Sequence, residues 1–145
     1  MKVVVQKVKN ASVTVENEII GKIENGFMIL LGIGQEDTEE NADYLVNKIC
    51  NLRVFEDEKD KMNLSIHDMN GQLLVISQFT LYANCQKGNR PSFVEAALPE
   101  KAEKLYEYFI KKCREQIKIV EHGKFGAHMQ VTFTNDGPVT ILLEK

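Results

Sequence analysis

Asn25-Gly26-Phe27-Met28-Ile29-Leu30-Leu31-Gly32-Ile33 opens on a dipeptide whose residues both tolerate positive φ, a strong hairpin signal. Phe27 to Ile33 is then apolar nearly throughout. Such a run reads as a central strand buried on both faces. Upstream, Val3 to Val15 is rich in β-branched residues, and Ala11, Val13 and Val15 alternate with Ser12 and Thr14. That is the pattern of a strand with one face to the core. Asn17-Glu18 reads as a turn and Ile19 to Ile23 as a second short strand. Gly32-Ile33-Gly34 resembles the start of a dinucleotide loop, but Asp37 stands where the third glycine belongs, so this reading is set aside.

Downstream, Asp37 is expected to cap a helix, with Glu40 three residues on. Ala42, Leu45, Ile49 and Leu52 then share one helical face, flanked by Val46 and Cys50. Phe55 to Gly71 is charged and irregular. Gln72 to Leu81 returns to strand character, and Asn84 to Phe93 reads as a loop. Pro99 opens a second helix, a favoured place for proline. Its buried stripe is Ala102, Leu105, Tyr106, Phe109, Ile110, Cys113 and Ile117. Three strands close the chain, at Lys118 to His122, Met129 to Thr134 and Val139 to Leu143. Most strand connections are shorter than the dozen or so residues a parallel crossover needs. The expectation is a single α+β domain over residues 1–145. It should have a mainly antiparallel, barrel-like sheet and two packed helices.

Hydrophobic residues make up 43% of the chain and charged residues 27%, a globular composition. No apolar run is long enough to cross a bilayer, and the first residues lack the apolar stretch of a signal peptide. An odd set of three cysteines, Cys50, Cys85 and Cys113, is no disulfide framework. A cytoplasmic protein without membrane contact is expected. The net charge of −3 argues against broad, charge-driven binding to nucleic acid, though not against a local grip on one RNA end.

The motif inventory excludes several chemistries. There is no Gly-x-Ser-x-Gly, His-Glu-x-x-His or Cys-x-x-Cys, and no phosphate loop. His67, His122 and His128 lack metal-ligand spacing. No metal and no cofactor are expected. Ser77, Gln78 and Thr80 interrupt the exit of an apolar strand, where binding groups are often found. The bland alternative is hydroxyls bonded to nearby backbone. A Thr80 nucleophile would need a base, and none lies near it in sequence. If the chain is a hydrolase, a site that positions and polarises is therefore favoured over a covalent intermediate, with backbone N–H groups near Phe79 and Thr80 facing a developing oxyanion. Lys87, Arg90 and Lys124 are phosphate-rim candidates or plain surface charge. Asn135-Asp136-Gly137-Pro138-Val139-Thr140 is a turn signal. Equally, it is a segment able to present backbone carbonyls unobstructed by side chains.

Four stretches occur together in order: Ser77-Gln78-Phe79-Thr80-Leu81, Gly88 to Phe93, Gly123 to Met129, and Asn135 to Thr140. Over its full length the chain resembles the D-aminoacyl-tRNA deacylase family, the D-tyrosyl-tRNA deacylase type. The resemblance implies hydrolysis of the ester joining a D-amino acid to the terminal adenosine of tRNA, with glycyl-tRNA also accepted. It implies a homodimer with active sites at the interface. Ser77, Gln78, Phe79 and Thr80 would be the catalytic wall, and Gly137 and Pro138, joined by a cis bond, the chiral selector reaching into the partner's pocket. Phe125, Met129 and Asn135 would bind substrate, the first two near the adenosine, while Lys87 and Arg90 are the candidates for tRNA phosphates. Two alternatives share this resemblance: a related deacylase with a trans Gly-Pro bond and different selectivity, and a non-enzymatic tRNA-binding dimer.

Overall fold

The computed structural model describes residues 1–145. In chain order the elements are β1 (Lys2–Val15), β2 (Glu18–Ile23), β3 (Gly26–Gly32), α1 (Glu39–Cys50), β4 (Phe55–Glu56) and β5 (Met62–Leu64). Then come β6 (Gln72–Ser77), a 3-10 turn (Phe79–Tyr82), α2 (Pro99–Gln116), β7 (Val120–His122) and β8 (Gln130–Glu144). The architecture is α+β, as expected.

Strand β1 organises the sheet. Along one edge it pairs antiparallel with β8. Along the other it pairs antiparallel with β3 through Lys2–Val8 and with β2 through Ala11–Val15. Beyond β3 the sheet turns parallel, through β6 and then β7. The two connections long enough for a crossover are the two that carry helices, α1 between β3 and β6 and α2 between β6 and β7. The sheet is thus mixed, with three antiparallel and two parallel pairings. It curls until β2 meets β7, where a Cβ on Gly21 would stand 3.0 Å from the His122 carbonyl oxygen. This nearly closes a barrel.

Both faces of β3 and β6 are covered. Phe27, Ile29, Leu31, Leu73 and Val75 join the core under the helices, while Met28, Leu74 and Ile76 fill a smaller core inside the barrel. The central-strand reading of Phe27–Ile33 therefore holds, because period-2 alternation has no polar face where both sides are apolar. Strand β1 serves both cores by changing faces. Val3 and Val5 look to the helices, but Val8, Ala11 and Val13 look into the barrel. The register against β8 slips between Val8 and Asn10. One extra residue there inverts the alternation downstream.

The helices bury the expected stripes, Ala42, Leu45, Val46, Ile49 and Cys50 in α1 and Ala102 through Cys113 in α2. Burial pushes the Cys50 thiol up to about 11 and the Cys113 thiol higher still. The α1 cap differs from expectation. Thr38 holds the N-cap, its backbone N–H donating to Asn41 Oδ1 at 2.8 Å. Asp37 turns inward instead.

Candidate active site

Strand β6 ends at Ser77, not at Leu81 as expected. The chain then tightens into the 3-10 turn Phe79–Tyr82. Such a turn leaves its first N–H groups, those of Phe79 and Thr80, without partners inside it. Ser77, Gln78 and Phe79 line a cleft of about 600 Å³. Thr80 is the next residue, exposed at the turn and outside the lining. The Gln78 side-chain amide donates to Thr80 Oγ1.

The opposite wall is Phe125 to Met129, and a third is Phe93 with Ala96 to Pro99. Aromatic pairs frame the cleft. Phe79 and Phe93 meet edge-on at 5.0 Å, and Phe125 rests on Tyr106 of α2 at 5.8 Å. The buried Tyr106 hydroxyl donates to the Val75 carbonyl at 2.8 Å, tying α2 to β6 two residues before Ser77. Gly123 lies flat against Met129, where a Cβ would come within 2.4 Å of the sulfur. The lining is mostly apolar, and His128 is its one titratable side chain. With no carboxylate or amine in the wall, the side-chain groups the cleft can offer a ligand are those of Ser77, Gln78 and His128, beside polar backbone.

Of the other site residues expected from sequence, Phe125 and Met129 line this cleft, whereas Asn135, Gly137, Pro138, Lys87 and Arg90 do not. Lys87 and Arg90 are exposed on the loop after the 3-10 turn. Asn135 to Pro138 form no hairpin turn. Residues on both sides of them pair with the same strand, β1, in one continuous direction. Val8 faces Asn135 and Gln6 faces Thr140, so Asp136 to Val139 bulge out opposite the single residue Lys7. At the root of the bulge, Asn135 Oδ1 accepts the Val139 N–H at 2.8 Å, and Thr140 Oγ1 donates to Gln6 Oε1 at 2.5 Å. The Gly137–Pro138 bond is cis, and both residues are exposed.

Lys7 is a feature the alternation pattern concealed. Its side chain is 2% exposed, yet it pairs with Glu56 at 2.5 Å and lies 3.8 Å from Asp136 in the bulge. The Lys7 hydrogen bond holds the Glu56 carboxyl below its usual range. The signal was available: in the register of Val3 and Val5, Lys7 is the next residue facing the core.

The model of the D-Tyr-tRNA(Tyr) deacylase family matches residues 4–144 of the chain. A D-aminoacyl-tRNA deacylase of Thermosipho africanus is 57% identical over 145 residues, all of this chain and 97% of its own length. One of Clostridium perfringens is 56% identical over the same shares. A solved structure described as c-Myc DNA Unwinding Element Binding Protein superposes with a TM-score of 0.95 at 48% identity, covering 100% of this chain and 99% of its own. A probable eukaryotic D-amino acid tRNA deacylase shares the fold at a TM-score of 0.85 and 16% identity, covering 98% and 97%. The fold and its mostly apolar cleft thus come with full-length similarity to hydrolases that act on aminoacyl-tRNA. The chain belongs to the D-aminoacyl-tRNA deacylase family.

Proposed function

We propose that the protein hydrolyses the ester bond of D-aminoacyl-tRNA, and of glycyl-tRNA, in a cleft completed by a second copy of the chain. The observation that carries this reading is the position of the Gly137–Pro138 bulge. It is exposed, lies outside the cleft of its own chain, and stands on an edge strand with no buried residue along its length. Leu142 on that strand is 75% exposed and Phe133 37%. A long edge with outward apolar side chains is a surface for another chain to cover. On this reading a second copy covers that edge and its bulge enters the first copy's cleft.

Handedness is then read by backbone. Pocket size alone separates substrates by about 1–3 kcal/mol per methylene. A fixed carbonyl that bonds the substrate amino group sets where the α-carbon substituents point. An L side chain meets backbone, whereas a D side chain points to solvent. Glycine offers nothing to reject. The chemical step falls to water assisted by the free ribose hydroxyl, a reading supported by the position of Thr80 outside the cleft lining. In this reading the Phe79 and Thr80 N–H groups face the oxyanion.

Cleavage of D-, L- and glycyl-tRNA by the full chain, with the mass in solution measured alongside, tests the proposal. D- and glycyl-esters cleaved, L-esters spared and a dimeric mass are expected. A monomer, or equal rates on D and L, overturns it. Thr80→Val separates the chemistry, since a loss to background would restore Thr80 as nucleophile.

A further inference from the structure

A four-residue 3-10 turn cannot hold itself in place. The turn that carries Phe79 and Thr80 buries none of its residues. Backbone bonds secure its entrance, where the Gln78 N–H donates to the Leu31 carbonyl at 2.8 Å. At its exit Leu81 packs on Gly32, where a Cβ would lie 3.0 Å from that of Leu81, and Tyr82 makes the turn's one side-chain hydrogen bond to the body of the protein, its hydroxyl donating to Asp37 Oδ2 at 3.2 Å.

Asp37 is itself a hub. The same Oδ2 accepts the Gly34 N–H at 2.6 Å, and Oδ1 takes the Met1 ammonium. Its carboxylate therefore locks the short segment Ile33 to Asp37, and that segment holds another cleft wall. The Gln35 N–H donates to the Glu95 carbonyl at 3.2 Å, and the Ala97 N–H to the Ile33 carbonyl at 2.9 Å. Gly34 pairs with Ala96 in an isolated bridge. The fit is close. A Cβ on Gly34 would lie 2.7 Å from the Tyr82 hydroxyl, and Lys2 Nζ sits 4.6 Å from the centre of the tyrosine ring. Neither Tyr82 nor Asp37 lines the cleft.

We propose that Tyr82 and Asp37 are positioning residues for the hydrolysis: their hydrogen bond sets the 3-10 turn, and with it the Phe79 and Thr80 N–H groups, against the wall formed by Phe93 and Ala96 to Pro99. This rests on reading the cleft as the hydrolytic site. The pair aligns groups that act in the transition state, so its loss falls on kcat.

The test is steady-state cleavage of D-aminoacyl-tRNA by the full chain, native and as Tyr82→Phe, Asp37→Asn and Tyr108→Phe. Tyr82→Phe keeps the ring and removes one hydroxyl. It should lower kcat about tenfold with KM within about twofold, the scale of a small misplacement of catalytic groups. Asp37→Asn should do the same. If it fails to fold, Tyr82→Phe alone decides. Tyr108→Phe removes a hydroxyl that donates to Asp43 at 3.0 Å, far from this hub in the helix pair, and should leave kcat native. Native kcat in Tyr82→Phe, a change confined to KM, or an equal loss of kcat in Tyr108→Phe overturns the assignment. Failure of the native chain to cleave any D-ester would instead overturn the hydrolase reading on which it rests.

Discussion

Replacing Gly137 by alanine puts a methyl group where the bulge has no room for one. Gly137 adopts φ of +132°, and a Cβ built on it would lie 2.6 Å from Val139 Cγ2 and 3.0 Å from the Val139 nitrogen. An L-residue at that φ carries strain of about 1–3 kcal/mol. Val139 cannot yield easily, because its branched side chain is stiff at χ1 and packs against the larger core. Alanine restricts the unfolded chain and returns about 0.4–1 kcal/mol. These two terms leave a net loss of about 1 kcal/mol before the clash with Val139 adds to it, and at about 3 °C per kcal/mol for a chain of this length the melting midpoint should fall by at least about 3 °C. Gly88→Ala is the control. Gly88 also has positive φ, +77°, but nothing lies within 4 Å of its Cβ position, so only the conformational strain remains. Thermal melts of both variants, paired with D- and L-ester cleavage, complete the experiment. Gly137→Ala should melt below Gly88→Ala and cleave L-esters faster than the native chain does. A Gly137→Ala protein that melts with the native chain and still spares L-esters would refute both the crowding and the selector role.

Two further outcomes concern the core. Tyr106→Phe removes a buried donor to the Val75 carbonyl, but that carbonyl also accepts the Gly123 N–H at 3.0 Å and is not orphaned. The cost should be about 1 kcal/mol, a fall of about 3 °C in a thermal melt, and a loss several times larger would contradict the shared acceptor. Of the three cysteines only Cys85 is exposed, and burial holds the other two thiols above their usual range. A thiol reagent at neutral pH should therefore label one cysteine in the native chain and all three after denaturation, with native labelling of Cys50 or Cys113 as the contrary result.

Much of this was legible in sequence wherever one period governed a segment. Both helices have a single apolar stripe, and the 3.6-residue spacing of Ala102 to Cys113 has no competing reading. β3 showed itself by having no polar face. Legibility failed where the deciding contact was distant. Asp37 has the chemistry of an N-cap, but Gly34, Tyr82 and the Met1 ammonium draw it inward and leave the cap to Thr38. Asn135 to Pro138 carries every local sign of a turn. Only β1, pairing on both sides of it, makes it a bulge within one strand. Gln78 to Leu81 looked like strand because Phe79 and Leu81 are apolar and alternate, but Phe79 is 58% exposed and serves the cleft. The wall of Ser77, Gln78, Phe79 and Thr80, with Phe125 and Met129 near the adenosine, was assigned from the resemblance, and the fold brings Ser77 to Phe79 and Phe125 to Met129 together around one cleft while leaving Thr80 outside its lining.

The slip in β1 has a consequence for how this chain can vary. Because Lys9 and Asn10 together fill a single step of the pleat, the residues before and after them obey opposite parities. Deleting either would turn Ala11 and Val13 outward from the barrel while leaving every remaining side chain chemically intact. The spacing between Val8 and Ala11 is thus as constrained as any core side chain.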